Sequence, residues 1–182
     1  MVGAGVLVYY FLPPRFFIVL PTEAVLLLGL ETILVLEALR LFAGAELPTI
    51  REYERARIAS YAFYAVALVV AVLLFPLPVA AVAVLGTAFV DPLVGELRRS
   101  ERRRKGYPGL PWVVYALLGS GALVLFGHYP ALPSILLASV AATVALAVER
   151  PKIPDLDDDL AMTLVPALAV EALIVLAPGI FT

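Results

Sequence analysis

The chain has 182 residues, of which 63% are hydrophobic, with a formal net charge of -2 and a mean hydropathy of +1.01. Soluble domains are about 45–50% apolar, so this composition excludes an ordinary soluble domain and predicts one integral membrane domain over residues 1–182. The absence of cysteine excludes disulfides and thiolate metal sites, and the single histidine, His128, argues against a histidine-based metal centre or a Ser-His-Asp triad.

Apolar stretches suited to membrane spans follow one another along the chain, separated by prolines. A span needs about 20 mostly apolar residues. A short apolar stretch at 2–12 would either cross the membrane or lie at its surface. After it, the pattern predicts six helices, at residues 20–43, 56–75, 78–97, 111–127, 131–148 and 159–178. The predicted fold is therefore an all-α, polytopic integral membrane helix bundle with six to seven transmembrane helices.

The basic residues predict how these spans are oriented. Twelve of the 13 Lys and Arg residues, from Arg40 to Lys152, fall on one side of the predicted membrane, and Arg15 is the exception. Positive residues stay cytoplasmic. We therefore predict a multi-pass cell-membrane protein whose charged loops, at 44–55, 98–110 and 149–158, face the cytoplasm and form the working face.

The first predicted long span ends with Glu37 and Arg40, which share one helix face because they are three residues apart. They can form an ion pair or support a binding site. Arg51 and Glu54 repeat this spacing in the next loop. The arginines of that loop suit either a phosphate ligand, because guanidinium groups match phosphate oxygens, or lipid headgroups.

Asp91 is the clearest charged residue within a predicted span. Such a charge costs about 2.5–3.5 kcal/mol on insertion scales, so these residues usually face a bundle interior and have a function. At 1.5 Å per residue, Asp91 lies about 10 Å from the cytoplasmic surface. Pro92 follows it and leaves a carbonyl of the preceding turn unpaired. A carboxylate beside a broken helix is typical of a polar cavity at membrane depth.

The loop after this span, RRSERRRKGYPG at 98–109, contains six basic residues. It can serve as a positive-inside anchor or hold a polyphosphate, to which Gly106 and Gly109 would allow close backbone approach. No GxxxxGK[ST] motif occurs in the sequence, so this loop is not a P-loop.

Four aspartates crowd the start of the last predicted span, in the stretch DLDDDLAMTLVP that begins at Asp155. We expect Asp158 or Asp159 to cap the helix, which explains one carboxylate. Crowded carboxylates repel one another unless a cation neutralises them, and Mg²⁺ takes one or two carboxylates together with phosphate oxygens. The stretch therefore predicts a Mg²⁺–nucleotide site at the membrane surface. The alternative is a helix cap with solvated acids.

In chain order, these motifs resemble the CTP-dependent lipid kinases, namely dolichol kinase, phytol kinase and the CTP-dependent diacylglycerol kinase. They are more remotely similar to the phosphatidate cytidylyltransferases. That family has an aspartate within a span, then a Lys-Ser-x-Glu-Gly motif, and an Asp-Asp-Asn-Leu-type motif that opens a late helix. Asp91 resembles the embedded aspartate, Asp157 to Asp159 resemble the late motif, and Lys105 and Gly109 match the ends of the lysine motif.

This chain departs from the family pattern at three of those positions. Val90, Gly106 and Pro108 stand where the family has glycine, serine and glutamate, respectively.

The resemblance implies Mg²⁺-dependent transfer of the γ-phosphoryl group of CTP to a polyprenol-type lipid alcohol at the cytoplasmic face. Such transfer needs positioning and charge neutralisation more than covalent chemistry. The implied partners are the lipid alcohol, the nucleotide and membrane lipids, with no nucleic acid. The implied site comprises catalytic Asp91, Asp158 and Asp159; metal-binding Asp91, Asp157 and Asp158; nucleotide-binding Arg98, Arg99, Arg102, Lys105 and Gly109; and supporting Glu37, Arg40, Arg51, Glu54 and Glu149.

Two other functions stay open at this point. A CDP-lipid-forming cytidylyltransferase would use the same nucleotide and metal but release pyrophosphate. A small transporter or a non-enzymatic lipid-binding membrane protein would instead depend on the other acids within the spans, Glu23, Glu31 and Glu171. The absence of Cys, Asn and Gln is typical of thermophile proteins.

Overall fold

The computed structural model of the chain describes residues 2–16, 20–45, 55, 57–99, 104–149 and 157–181. The described part is helical apart from one antiparallel pairing of two-residue strands, β1 Arg15–Phe16 and β2 Leu20–Pro21. Its helices are α1 Thr22–Ala43, α2 Ser60–Leu74, α3 Leu77–Arg99, α4 Gly109–Gly127, α5 Ala131–Val148, α6 Asp158–Leu176 and α7 Pro178–Phe181, together with 3-10 helices at Val2–Phe11 and Arg104–Gly106. The prediction of a helical fold is confirmed.

Within the described residues, four helices, α3 to α6, are long and apolar enough to cross a membrane. They contain between 18 and 23 residues each, and the chain is therefore a membrane-embedded protein. The helices before α3 differ from them. α2 is apolar but has only 15 residues, and α1 contains four charged residues, Glu23, Glu31, Glu37 and Arg40. A total of six to seven spans stays a prediction for this N-terminal part.

Proline and glycine signals explain where the helices begin and end. Pro78 occupies the second position of α3, and Pro130 directly precedes α5, where a missing amide proton costs no helical hydrogen bond. Gly44 ends α1 in the left-handed conformation that favours glycine. His128 adopts the same conformation after α4, with φ of 55°.

The four long apolar helices form a closed bundle, in which α3 packs on α4, α4 on α5, α5 on α6, and α6 back on α3. Small side chains dominate its core, including a stripe on α5 made of alanines 138, 141, 142 and 145. α2 packs outside the ring against α6, and α1 packs on α2. Small core residues let helices approach closely, which is the usual way that membrane helices associate.

The helix termini define two ends of the bundle. The charged end combines the C termini of α1, α3 and α5 with the N termini of α2, α4 and α6. Hydrogen bonds join these termini, because Ser60 of α2 donates to Asp157 before α6, and Arg98 of α3 donates to Glu149 after α5. The opposite end is called the far end below.

The N-terminal 3-10 helix runs along α2 and α3 between these ends. At the far end, the Tyr10 hydroxyl lies 3.0 Å from the Val72 carbonyl oxygen and 2.7 Å from that of Phe75. These carbonyls belong to the C-terminal end of α2, where intrahelical partners run out. Towards the charged end, Gly3 packs directly on the Tyr64 hydroxyl, and a β-carbon at Gly3 would clash with it.

Candidate functional site

The contact between α3 and α6 contains buried hydroxyl groups that compensate for a proline. Pro166 lies inside α6 and has no amide proton, so the carbonyl of Met162, four residues earlier, loses its helical partner. The Thr87 hydroxyl of α3 donates to this carbonyl at 3.1 Å. The Thr163 hydroxyl donates to the Asp159 carbonyl at 2.8 Å and lies 3.2 Å from Thr87 Oγ1. We call this contact the α3–α6 seam.

Asp91 and Asp159 lie one helical turn from the seam threonines, both towards the charged end. Asp91 follows Thr87 by four residues in α3, and Asp159 precedes Thr163 by four residues in α6, so each shares a helix face with its threonine. Both aspartates are half-buried. The fold thus brings to one seam two predicted site residues that are 68 positions apart in the chain. We call them the acidic pair.

Tyr64 of α2 is a neighbour of the acidic pair that the sequence analysis missed. It lies one turn along α2 from Ser60, which donates to Asp157 at the start of α6, and α2 packs on α6. The hydroxyl oxygen is buried and has no hydrogen-bond partner within the described residues. Nothing in the sequence distinguishes Tyr64 from the aromatic and apolar residues around it, because a tyrosine in an apolar helix is an ordinary packing residue.

Asp157, predicted as a metal ligand, is the N-cap of α6. Its side chain accepts the Asp159 amide at 3.0 Å and the Ser60 hydroxyl at 2.9 Å. The prediction that Asp158 or Asp159 caps the helix is therefore wrong by one or two residues. The helix α6 begins at Asp158, and the capping residue lies just before it. Asp158 is the half-buried first residue of the helix.

Glu37 and Arg40 form an ion pair, which is one of the two roles that their spacing allowed. Arg40 donates through two nitrogens, Nε at 2.7 Å and Nη2 at 2.8 Å, to the two carboxylate oxygens. Glu37 also accepts the Ala59 amide at 2.7 Å and the Tyr61 hydroxyl, while Arg40 Nη2 donates to the Arg57 carbonyl at 2.7 Å. Both charged side chains are buried, so this pair fastens the end of α1 to the start of α2.

Arg98 and Glu149, predicted for nucleotide binding and support, form a second network at the charged end. Arg98 Nη2 lies 2.7 Å from Glu149 Oε2, and the Tyr107 hydroxyl donates to the same oxygen at 2.9 Å. The Arg98 guanidinium also lies 4.9 Å from the centre of the Tyr107 ring. Glu149 is buried, and the network ties the ends of α3 and α5 to the turn before α4.

The remaining predicted nucleotide ligands lie at the surface. Arg99 is exposed and pairs with Glu96 at 3.7 Å. Lys105 and Gly109 are exposed beside the start of α4. These groups lie at the same end of the bundle as the acidic pair. Three predicted residues, Arg51, Glu54 and Arg102, lie outside the described residues.

A metal centre built by the protein alone is not formed within the described ranges, where no three Asp, Glu, His or Cys residues are grouped closely enough to hold an ion. A magnesium ion that arrives with a nucleotide needs one or two carboxylates, since phosphate oxygens and water supply its other ligands. Asp91 and Asp159 are the carboxylates that face a common seam.

Comparison with known proteins found no matching family model, no matching curated protein and no matching solved structure.

Proposed function

We propose that the chain is a membrane-embedded phosphotransferase that moves the γ-phosphoryl group of a nucleoside triphosphate to a lipid alcohol. The acidic pair carries this proposal. Asp159 lies in the first turn of α6 and Asp91 about two turns before the end of α3, a depth at which a lipid's polar head can meet solutes from the aqueous side. The resemblance of the Asp91 and Asp157–Asp159 motifs to the CTP-dependent lipid kinases selects CTP as the donor.

Each group of residues has a separate task in this reaction. Asp91 or Asp159 accepts the proton of the lipid hydroxyl, whose oxygen bonds to the γ-phosphorus while the bond to the β–γ bridging oxygen breaks. The nucleoside diphosphate leaves. Mg²⁺ bound with the nucleotide would neutralise the negative charge of the phosphates. The exposed cations Arg99 and Lys105 hold phosphate groups at the surface.

The buried ion pairs have a supporting role in this proposal. Glu37 with Arg40 fixes the start of α2, next to Ser60, which binds the Asp157 cap. The cap in turn fixes the first turn of α6, on which Asp159 lies. In this proposal α1 and α2 also cross the membrane. The charged end faces the cytoplasm.

A labelling assay tests the proposed reaction. Purified protein receives γ-labelled CTP, Mg²⁺ and a panel of polyprenols, phytol and diacylglycerol. We expect label in one lipid class, and a loss of about 100-fold or more in Asp91→Asn and Asp159→Asn, since a positioned acid–base group contributes about 10²–10⁴-fold. Both substitutions keep the side-chain shape and remove the charge.

Glu31→Gln is the control, because Glu31 is an exposed acid on α1 that the proposed reaction does not use. It should retain full activity. If lipid phosphates cause the release of pyrophosphate while no alcohol is labelled, the protein is a cytidylyltransferase. If CTP and ATP both give no labelled product with any lipid, the phosphotransferase proposal is wrong.

A further inference from the structure

Tyr64 has a hydroxyl group with no hydrogen-bond partner within the described residues, on the helix that packs against the start of α6. Its oxygen is buried, and no described residue donates to it or accepts from it. Buried polar groups in native proteins are nearly always satisfied, and a specific exception calls for an explanation such as water, an ion or a role in catalysis. The hydroxyl is therefore a donor whose partner is still to be identified.

Two features place this hydroxyl at the acceptor side of the proposed reaction. It lies one turn along α2 from Ser60, which donates to the Asp157 cap, so it is on the side of α2 that packs against α6. Its cover is Gly3 of the N-terminal 3-10 helix, the residue type that permits this contact, because any β-carbon would clash with the hydroxyl.

The chemistry of these three groups selects the ligand. A neutral tyrosine hydroxyl donates a hydrogen bond, whereas each carboxylate accepts one. An alcohol oxygen matches both at once, since it accepts from Tyr64 and donates to one aspartate. A phosphate monoester carries negative charge, which two nearby carboxylates repel unless a metal ion neutralises it, whereas an alcohol needs no such neutralisation.

We propose that Tyr64 binds the oxygen of a neutral lipid alcohol at the acidic pair, and that Gly3 covers the hydroxyl when no lipid is bound. This inference rests on the proposed phosphotransferase function and specifies its acceptor. It favours an alcohol over a lipid phosphate and identifies Tyr64 as a substrate-binding residue.

Tyr115 provides a matched control on the same fold. Its hydroxyl is also buried without a hydrogen-bond partner in the described part of the chain. It lies in the bundle core, where its ring packs against Gly86. Tyr115→Phe and Tyr64→Phe therefore remove the same atom from a similarly buried position, but only Tyr64 is next to the acidic pair.

Steady-state kinetics on the full-length chain are the first test. Tyr64→Phe should raise KM for the alcohol about tenfold and leave KM for CTP unchanged, because one hydrogen bond to the alcohol is lost. Tyr115→Phe should change neither constant. An unchanged KM in Tyr64→Phe, or equal changes in both variants, would show that Tyr64 only packs, and the inference would be wrong while phosphotransfer stands.

Photocrosslinking tests the same site without turnover, so that failure of the proposed function can be recognised separately. The probes are a prenyl alcohol with a diazirine in its tail and the corresponding prenyl phosphate. The alcohol should label wild type and Tyr115→Phe, with a severalfold loss in Tyr64→Phe. Labelling by the alcohol without turnover would reject the kinase but retain the Tyr64 site. Stronger labelling by the phosphate, sensitive to Tyr64→Phe, would overturn the neutral acceptor.

Discussion

At the scale of single residues, the Thr87 hydroxyl replaces a hydrogen bond that Pro166 removes from α6. The Met162 carbonyl, which accepts this hydrogen bond from Thr87, is buried in the seam, where no water can replace the donor. Thr87→Val should therefore destabilise the protein by about 1–2 kcal/mol, in the upper range of side-chain hydrogen bonds measured within membranes. Unfolding in detergent, followed by the fluorescence of Trp112, measures the change.

A double-mutant cycle separates this hydrogen bond from simple packing. Pro166→Ala restores an amide that can bond the Met162 carbonyl within α6, so Thr87→Val should cost less in the Pro166→Ala background. Thr32→Val is the control, because Thr32 is exposed and its hydroxyl bonds only its own helix, at Leu28. Equal costs of Thr87→Val in both backgrounds would contradict this account.

The residues that the sequence identified and missed differ in a physical way. Asp91 was identifiable because a charge within an apolar span is costly, and Glu37 with Arg40 because helical spacing places them on one face. The Arg98–Glu149 pair joins residues 51 positions apart, and no local periodicity encodes that distance. Tyr64 was missed for the same reason, since its significance arises only when α2, α3 and α6 pack together.

At the scale of helices, Gly86 sets how closely α3 approaches α4. The buried Tyr115 ring lies against it, and a β-carbon there would clash with the ring. Gly86→Ala should destabilise the bundle by about 1–3 kcal/mol through overpacking. Gly95→Ala tests the same change on the same helix at an exposed site with nothing within 4 Å, and it should be neutral or stabilising.

Thermal unfolding of both glycine variants in one detergent provides the comparison. If Gly86→Ala unfolds at the wild-type temperature, the Tyr115 ring can shift at little cost and the close approach of α3 to α4 is not required.

The limits of the helices were largely predictable from the sequence, since 131–148 is confirmed as α5 and the other long helices deviate by a few residues. The capping residue Asp157 was not predictable, because four neighbouring aspartates are equivalent candidates for the cap.

At the scale of the whole molecule, the bundle separates charge from apolar surface. The ends of α3 and α5 and the start of α4 present Arg, Lys and Glu side chains, whereas the loop after α4 contains His128, Tyr129 and Pro130. Because positive residues stay cytoplasmic, the charged end should face the cytoplasm. The sequence predicts this orientation, while packing of α3 to α6 into one ring required the structure.

Single-cysteine labelling in intact cells tests the orientation, and the chain suits it because it contains no native cysteine. Lys105→Cys at the charged end and Pro130→Cys at the far end both replace exposed residues. A membrane-impermeant maleimide should label Pro130→Cys in intact cells, and Lys105→Cys only after permeabilisation. The unsubstituted chain should stay unlabelled in both conditions.

The opposite labelling pattern would have a consequence beyond topology. Nucleoside triphosphates are supplied from the cytoplasm, and the acidic pair lies one turn from the seam threonines towards the charged end. If Lys105→Cys were labelled from outside, the pair would open to a compartment without the phosphoryl donor. The kinase and the cytidylyltransferase would then fail together, and the acidic pair would have to bind a ligand from outside the cell.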